Sequence, residues 1–267
     1  MLRDITIGQY FPGDSIIHRL DPRFKIVITL IYIIMLFSGG NYACLAVGAV
    51  YTFGAIFLSR IPLKMFLKSV KPLLPFLLIM AVINLSFMSS GDILWQWRFI
   101  KITEAGLNAS VFMVIRIVLL IMGTSLLTYT TSPVTLTDAI ERLLSPLRKV
   151  KFPVHELAMM MSIALRFIPT LIEETDKIMS AQKARGAEID TGSFTTRAKN
   201  LISILVPLFI SAFRRADELA TAMECRCYHG GEGRTRLRQL KSAPRDYIAL
   251  AVTVLFLVGV IVLGRLL

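Results

Sequence analysis

The chain has 267 residues, 55% of them hydrophobic, and a mean hydropathy of +0.65, which excludes an ordinary water-soluble domain of this size. Its 30 Lys+Arg against 18 Asp+Glu give a formal charge of +12, and these charges are segregated along the sequence as a membrane topology requires. The length holds about five or six spans of roughly 20 residues each plus a polar domain, so a single-anchor protein and a twelve-helix transporter are both excluded.

Between Lys25 and Arg60 no residue is charged. That stretch is more than one helix needs and enough for a tight pair, broken at Gly39-Gly40-Asn41. The sequence predicts a first span at 22–38 and a second at 42–59. A third is expected at 72–90, where Pro75 falls in the first turn and is tolerated. A fourth is expected at 107–129 and a fifth at 247–264, with Arg265 able to reach the headgroups. The uncharged piece 200–213 is too short to span and carries Pro207, so it is expected as a buried or interfacial helix. The first 20 residues hold Arg3, Asp4, Asp14 and Arg19 without an apolar core, so no signal peptide is expected.

Orientation follows from the Lys/Arg bias of the short loops. Arg3, Arg19, Arg23 and Lys25 precede or open the first span, and Arg60, Lys64, Lys68 and Lys71 separate the second from the third with no acid among them. In the loop at 91–106, Arg98 and Lys101 are balanced by Asp92 and Glu104. An N-terminus inside, five spans and a C-terminus outside satisfy this pattern, and residues 131–246 then lie in the cytoplasm. Within the fourth span Arg116 is the one ionisable residue well inside lipid. A lone guanidinium there costs at least about 2.5–3.5 kcal/mol, so it must contact an ion or substrate, bond a neighbouring helix or snorkel to an interface.

After the fourth span, Thr135 to Asp138 supply cap residues for a short amphipathic helix running to Lys149 and stopped near Pro153. Val154, Leu157, Ala158, Met161, Leu165, Ile168, Ile172 and Met179 recur at spacings of three, four and seven, which predicts a long helix with one apolar stripe. Gly186 suits its C′ position. A third helix is expected after Thr195 to Arg197, with Leu201, Leu205, Leu208, Ala212, Ala216, Leu219 and Met223 as its stripe. The glycines Gly230-Gly231 and the basic run at 234–241 return the chain to the headgroups.

The two long helices are weakly related to each other. A shift of 41 residues places Asp176 on Asp217, Ser180 on Thr221, Ala181 on Ala222 and Arg185 on Arg226. Each helix therefore delivers an arginine at its exit. These two tips either neutralise helix C-termini, worth a few tenths of a kcal/mol, or dock on a partner with two similar pockets.

With these residues assembled, the chain resembles the transmembrane coupling subunit of energy-coupling factor transporters, the family that also contains the corresponding cobalt and nickel uptake subunits. Three passages carry the likeness. DSIIHRLDPRFK resembles the family's N-terminal motif through His18, Leu20, Asp21, Pro22, Arg23 and Lys25. The passage from Leu143 to Glu188 resembles its coupling helices and ends in Ala184, Arg185 and Gly186. AMECRCY stands where a second Ala-Arg-Gly triplet belongs, but here it reads Cys225, Arg226, Cys227, so only the arginine matches.

The resemblance implies an all-α polytopic membrane protein with five transmembrane helices and a cytoplasmic domain of long amphipathic coupling helices. Residues 1–131 would hold the first four spans, 132–242 the coupling helices and 243–267 the fifth span. It implies a bacterial or archaeal cell membrane and three further subunits. Two are ATPases of the ATP-binding-cassette type that carry ATP and Mg, and one is a small membrane protein that captures a vitamin or related micronutrient. Arg185 and Arg226 would each enter a groove on one ATPase and pair with acids there. No cofactor on this chain and no nucleic-acid partner are implied.

The rivals are an enzyme and a self-sufficient secondary transporter. A G-x-x-x-x-G-K-[ST] loop is absent from the sequence, so ATP hydrolysis is assigned to another chain. Cys225, Cys227 and His229 offer thiolate and imidazole but lack a fourth ligand and the usual zinc spacing, so no metal site is expected. His155-Glu156 is not followed by a second histidine at helical spacing, as a metalloprotease would need. A secondary transporter would need polar sites in its spans, for which only Asn84 and Arg116 are available. The methionines Met159, Met160 and Met161 suit adaptable packing rather than copper.

Overall fold

A computed structural model describes residues 10–87, 93–97, 100–150, 152–186, 194–230, 240 and 242–266. The N-terminal nine residues, the end of the expected third span at 88–90, Gly231 and the basic run apart from Leu240 lie outside the described residues. The chain forms two compact units, one from residues 8–136 with 240–267, the other chiefly from 137–239.

The first unit is a helical bundle. Helix α1 (Pro22–Ser38) starts where Asp21 caps it and Pro22 takes the first turn, where a missing N–H costs nothing. Helix α2 (Tyr42–Ser59) follows the Gly39-Gly40 turn and ends at Arg60, whose φ of 56° reverses the chain before Pro62. The expected third span begins earlier than the sequence reading placed it. Helix α3 (Leu63–Val70), a 3-10 turn at Lys71–Leu73 and helix α4 (Leu74–Phe87) follow one another without a loop. Pro72 cannot donate to the preceding turn, which accounts for the 3-10 step. The loop expected at 91–106 contains a short antiparallel hairpin, β1 (Ile93–Trp97) and β2 (Ile100–Thr103), with Trp97 opposite Ile100. Helices α5 (Glu104–Thr130) and α9 (Pro244–Leu266) complete the bundle.

Within it, α1 packs against α9 and α5, α2 packs against the same two, and α3 and α4 lie along α5. One core gathers Tyr32, Met35, Leu36, Leu45, Leu119 and Val260, and a second gathers Ile56, Phe66, Val70, Leu77, Met122 and Tyr129. Tyr32 is 3% exposed and crosses to α5. Its hydroxyl donates to the Leu119 carbonyl at 2.7 Å and pairs with Thr52 Oγ1 at 2.8 Å. The ring lies directly on Gly123, where a methyl group would collide with it. A buried tyrosine is stable in such a core only when its hydroxyl is matched, as here.

Arg116 finds a partner on a neighbouring segment. Its guanidinium donates to the carbonyl of Gly39, just past the C-terminus of α1, and lies over the rings of Phe112 and Phe37 at 4.5 and 5.7 Å. A cation at a helix C-terminus answers carbonyls that the helix leaves unpaired. Of the sequence alternatives, the bond to a neighbouring segment is the one observed. Asn84 donates to the sulfur of Met113 at 3.2 Å.

The second unit begins within α6 (Pro133–Leu143), which is shorter than expected and gives way to a 3-10 stretch at Ser145–Val150. Helices α7 (Val154–Ala184) and α8 (Phe194–Glu224) each have 31 residues. Pro207 does not divide α8, which continues through it, and the piece at 200–213 is not buried. Leu201, Ile202, Val206, Phe209, Ile210 and Phe213 are each more than half exposed. The less exposed face of α8 carries Ile204, Leu208, Ala212, Arg215, Leu219 and Met223, and Arg215 on it bonds Glu174 of α7. The expected stripe thus splits: Leu208, Ala212, Leu219 and Met223 lie on this face, while Leu201, Leu205 and Ala216 face outward.

Among the described residues five helices are long and apolar enough to cross a membrane: Tyr42–Ser59, Leu63–Leu85, Glu104–Thr130, Val154–Ala184 and Pro244–Leu266. The expected set named α1 instead of α7. With 17 residues α1 stands at the short limit of a span. Helix α7 qualifies because most of its carboxylates, Glu173, Glu174 and Asp176, fall in its second half, leaving Glu156 and Arg166 as the only Asp, Glu, Lys or Arg in the stretch 154–171.

Candidate functional site

Two sets of residues were singled out by sequence, and they occupy different units. The N-terminal set forms a clasp. Asp21 accepts the Arg23 N–H at 2.9 Å as a helix cap and holds the Arg23 guanidinium in a two-pronged pair, its shortest arm 2.6 Å. That guanidinium also donates to the Leu240 carbonyl at 3.2 Å. The Asp21 N–H in turn donates to Asp246 Oδ1 at 2.9 Å, and Asp246 Oδ2 accepts from the Ala243 N–H at 2.7 Å. Lys25 is only 5% exposed, and its three ammonium protons match three acceptors: the carbonyls of His18 and Thr130 at 3.2 and 2.8 Å, and Thr131 Oγ1 at 3.2 Å.

His18 completes the clasp from the N-terminal side. Its Nε2 donates to the Phe11 carbonyl at 3.0 Å, so its Nδ1 is the acceptor for the Ser15 hydroxyl at 2.6 Å. Burial lowers its pKa from the ordinary value of 6.5, against the opposing pull of the Phe11 carbonyl. Phe11 is itself tied to the end of α5 by its N–H to the Tyr129 carbonyl at 2.9 Å. Leu20 is buried and Pro22 opens α1. The motif therefore fastens the start of α1 to the end of α5 and the start of α9. Its buried carboxylates and ammonium are matched within the bundle, which marks it as a structural fastening. Sequence reasoning missed Asp246, the acid that receives Asp21; its only signal was its place in the first turn of the last span.

The second set forms two helix exits. Ala184, Arg185 and Gly186 are all exposed, as are Cys225, Arg226 and Cys227. Both exits have the same backbone plan despite the different letters. Arg185 caps α7, Gly186 takes a φ of 84°, and the Gly186 N–H donates to the Lys183 carbonyl at 3.0 Å. At the end of α8, Cys227 takes a φ of 55°, its N–H donates to the Glu224 carbonyl at 2.8 Å, and the Tyr228 N–H reaches the Met223 carbonyl at 3.1 Å. The last two bonds are those of a Schellman cap with cysteine in the position that glycine prefers. The third residue of each triplet thus turns the chain away and leaves the arginine at the helix tip.

The two exits are related by an approximate two-fold. Gln182 Nε2 donates to the Ser203 carbonyl at 3.4 Å, and Arg215 donates to Glu174 Oε2 at 2.6 Å. Partners rise along α7 as they fall along α8, so the helices are antiparallel. Glu174 and Arg215 are 41 residues apart, the same shift that relates the two helices in sequence. Equivalent positions that touch each other lie on a two-fold axis. Arg185 and Arg226 each stand eleven residues beyond that bridge, about 16 Å along each helix in opposite directions.

Cys225, Cys227 and His229 are exposed. Among the described residues no group of three or more His, Cys, Asp or Glu side chains is gathered as a metal ion would need. His155 Nδ1 instead pairs with the buried Glu141 at 3.1 Å, joining α6 to α7.

These features define a multi-pass α-helical membrane protein that carries a pair of exposed, arginine-ended helices. A family model described as "Cobalt transport protein" matches residues 13–237. A Clostridium kluyveri protein named "Energy-coupling factor transporter transmembrane protein EcfT" is 54% identical over 268 residues, covering 100% of this chain and 98% of its own. Proteins of the same name from Ruminiclostridium cellulolyticum and Bacillus subtilis are 53% and 46% identical, covering 98% and 92% of this chain and 98% and 93% of their own. The chain belongs to this family of energy-coupling factor transporter transmembrane proteins.

Proposed function

We propose that this chain is the non-catalytic coupling subunit of an energy-coupling factor importer. Arg185 and Arg226 each enter an acid-lined groove on one of two ABC-type ATPases, which carry the ATP and Mg. Closure of the ATPase pair displaces α7 and α8, and the bundle passes that movement to a small membrane subunit that captures a vitamin or related micronutrient. The N-terminus and residues 132–242 lie in the cytoplasm of a bacterial or archaeal cell, and α1 rather than α7 supplies the fifth crossing.

The observation that carries this reading is the two-fold relation of the exits about the Glu174–Arg215 bridge. A pair of like ATPases presents two like grooves about a two-fold, and two exposed guanidinium groups on matching helix ends are the complement. Arginine suits the contact because its planar fork makes two charge-assisted bonds to one carboxylate. Both arginines are solvent-facing, so their replacement should leave insertion intact. The double variant Arg185→Glu with Arg226→Glu is expected to insert normally, lose ATPase binding and abolish uptake. Uptake at the parent rate would refute the reading.

The description of the matching family model favours one second reading, in which the captured solute is cobalt or nickel. Uptake of labelled metal and labelled vitamins by cells expressing the native assembly separates the two.

A further inference from the structure

One cavity in the membrane-crossing unit borders the clasp at Leu20, Lys25 and Thr130 but extends well beyond it. It is a half-open cavity of about 500 Å³ between α1, α2, α5 and α9. Lys25, Leu58, Thr130 and Arg245 mark its mouth, where α1 and α9 begin and α2 and α5 end. Its inner end reaches Val50 and Phe256. From Arg245 to Phe256 is eleven residues of α9, about 16 Å, or roughly one leaflet of a ~30 Å hydrocarbon core.

The chemistry of the lining selects an occupant. Inside the cavity each hydroxyl proton is already engaged by the protein. Thr29 donates to the Lys25 carbonyl, Thr130 to the Leu126 carbonyl and Thr253 to the Ala249 carbonyl, each at 2.8 Å, and the Tyr51 hydroxyl pairs with Thr253 at 2.9 Å. Lys25 uses all three of its protons on the clasp. What remains for a ligand is an apolar sleeve. At the mouth Arg245 is exposed, and among the described residues nothing hydrogen-bonds or ion-pairs with its guanidinium. The nearby carboxylates do not neutralise it, since Asp21 is paired with Arg23 and Asp246 holds two backbone N–H groups.

We infer that this cavity binds one anionic membrane phospholipid, with an acyl chain in the sleeve and its phosphate on Arg245. A polar solute finds no open donors along the walls. A partner's helix, 10–12 Å across and roughly 400–600 Å³ per turn, exceeds what the cavity holds along its length, so it would lie across the open side rather than fill the sleeve. An acyl chain fits the length, and the single cation at the mouth fits its headgroup.

The test is native mass spectrometry of the full chain reconstituted with equal phosphatidylglycerol and phosphatidylcholine, then extracted. The expected result is one retained phosphatidylglycerol per chain, preferred about tenfold, and not displaced by inorganic phosphate. Arg245→Gln should remove the preference while the acyl chain is still held. Gly54 lines the sleeve, and a Cβ built there meets nothing within 4 Å, so Gly54→Leu should empty it with unchanged thermal unfolding. Retention by Gly54→Leu equal to the parent, or equal retention of the two lipids by the parent, would overturn the inference. A crosslink from Gly54→Cys to a partner's helix would overturn it too.

Discussion

Lys25 sits in the bundle with three acceptors and 5% exposure. Its replacement strands the carbonyl of Thr130, a buried group that costs about 1–3 kcal/mol when left unmatched. Lys25→Met should therefore lower thermal stability in detergent by that order while leaving Arg185 and Arg226 in place. His18 gives the clasp a pH dependence. Its folded pKa is depressed below 6.5 by burial, so the unfolded state binds more protons, and the stabilisation is complete above about pH 6.5 and lost as pH falls through the folded value. A His18→Gln variant should flatten the slope of stability against pH below about pH 6.5. Cys227 makes the opposite kind of prediction. A non-glycine residue in the left-handed region costs about 1–2 kcal/mol, so Cys227→Gly should raise Tm by roughly 2–4 °C per kcal/mol recovered. It should leave ATPase binding unchanged, since Arg226 remains at the tip.

At the scale of the element, the antiparallel pair of α7 and α8 is what the two exits depend on. The Glu174–Arg215 bridge is partly exposed, at 26% and 35%, so its direct contribution is about 0.2–1 kcal/mol. Arg215→Glu places two acids together and should loosen the pair by that order, and the exchange Glu174→Arg with Arg215→Glu should restore it, as read by thermal unfolding of the two variants beside the parent. The sequence made much of this pair legible. Apolar periodicity placed both helices, and the shift of 41 already related their exits. That same shift also connects Glu174 to Arg215, yet a repeat alone does not say that equivalent residues touch; only the antiparallel packing does. Pro207 misled because a proline inside a helix costs about 3 kcal/mol, yet α8 continues through it. The third span began early for a related reason: Leu63–Val70 is amphipathic, with Phe66 and Val70 buried against the bundle, so its charges masked its continuity with the apolar run behind it. The clasp was legible as a motif but not as a structure, because its partners Thr130, Thr131 and Asp246 come from the far ends of two other helices.

At the scale of the molecule, the chain joins a helical bundle to a pair of helices whose two exits are exposed. Length and composition alone favour α7 over the 17-residue α1 as a crossing helix, and the proposed topology chooses α1 by the loop charges. It has a direct chemical reading, because Cys44 is buried whereas Cys225 and Cys227 are exposed. A membrane-impermeant maleimide should label inverted vesicles at Cys225 and Cys227 and leave intact cells unlabelled. The apolar face of α8 from Leu201 to Phe213 is too extensive for α7 alone to cover, as expected of a surface that meets lipid or another subunit.

The most direct measurement is the number of ATPase subunits that co-purify with each chain when the exits are reversed one at a time. If each arginine holds one ATPase, Arg185→Glu and Arg226→Glu should each weaken the capture of a single ATPase, and the double variant should retain neither. Full recovery of both ATPases by the double variant would contradict the account.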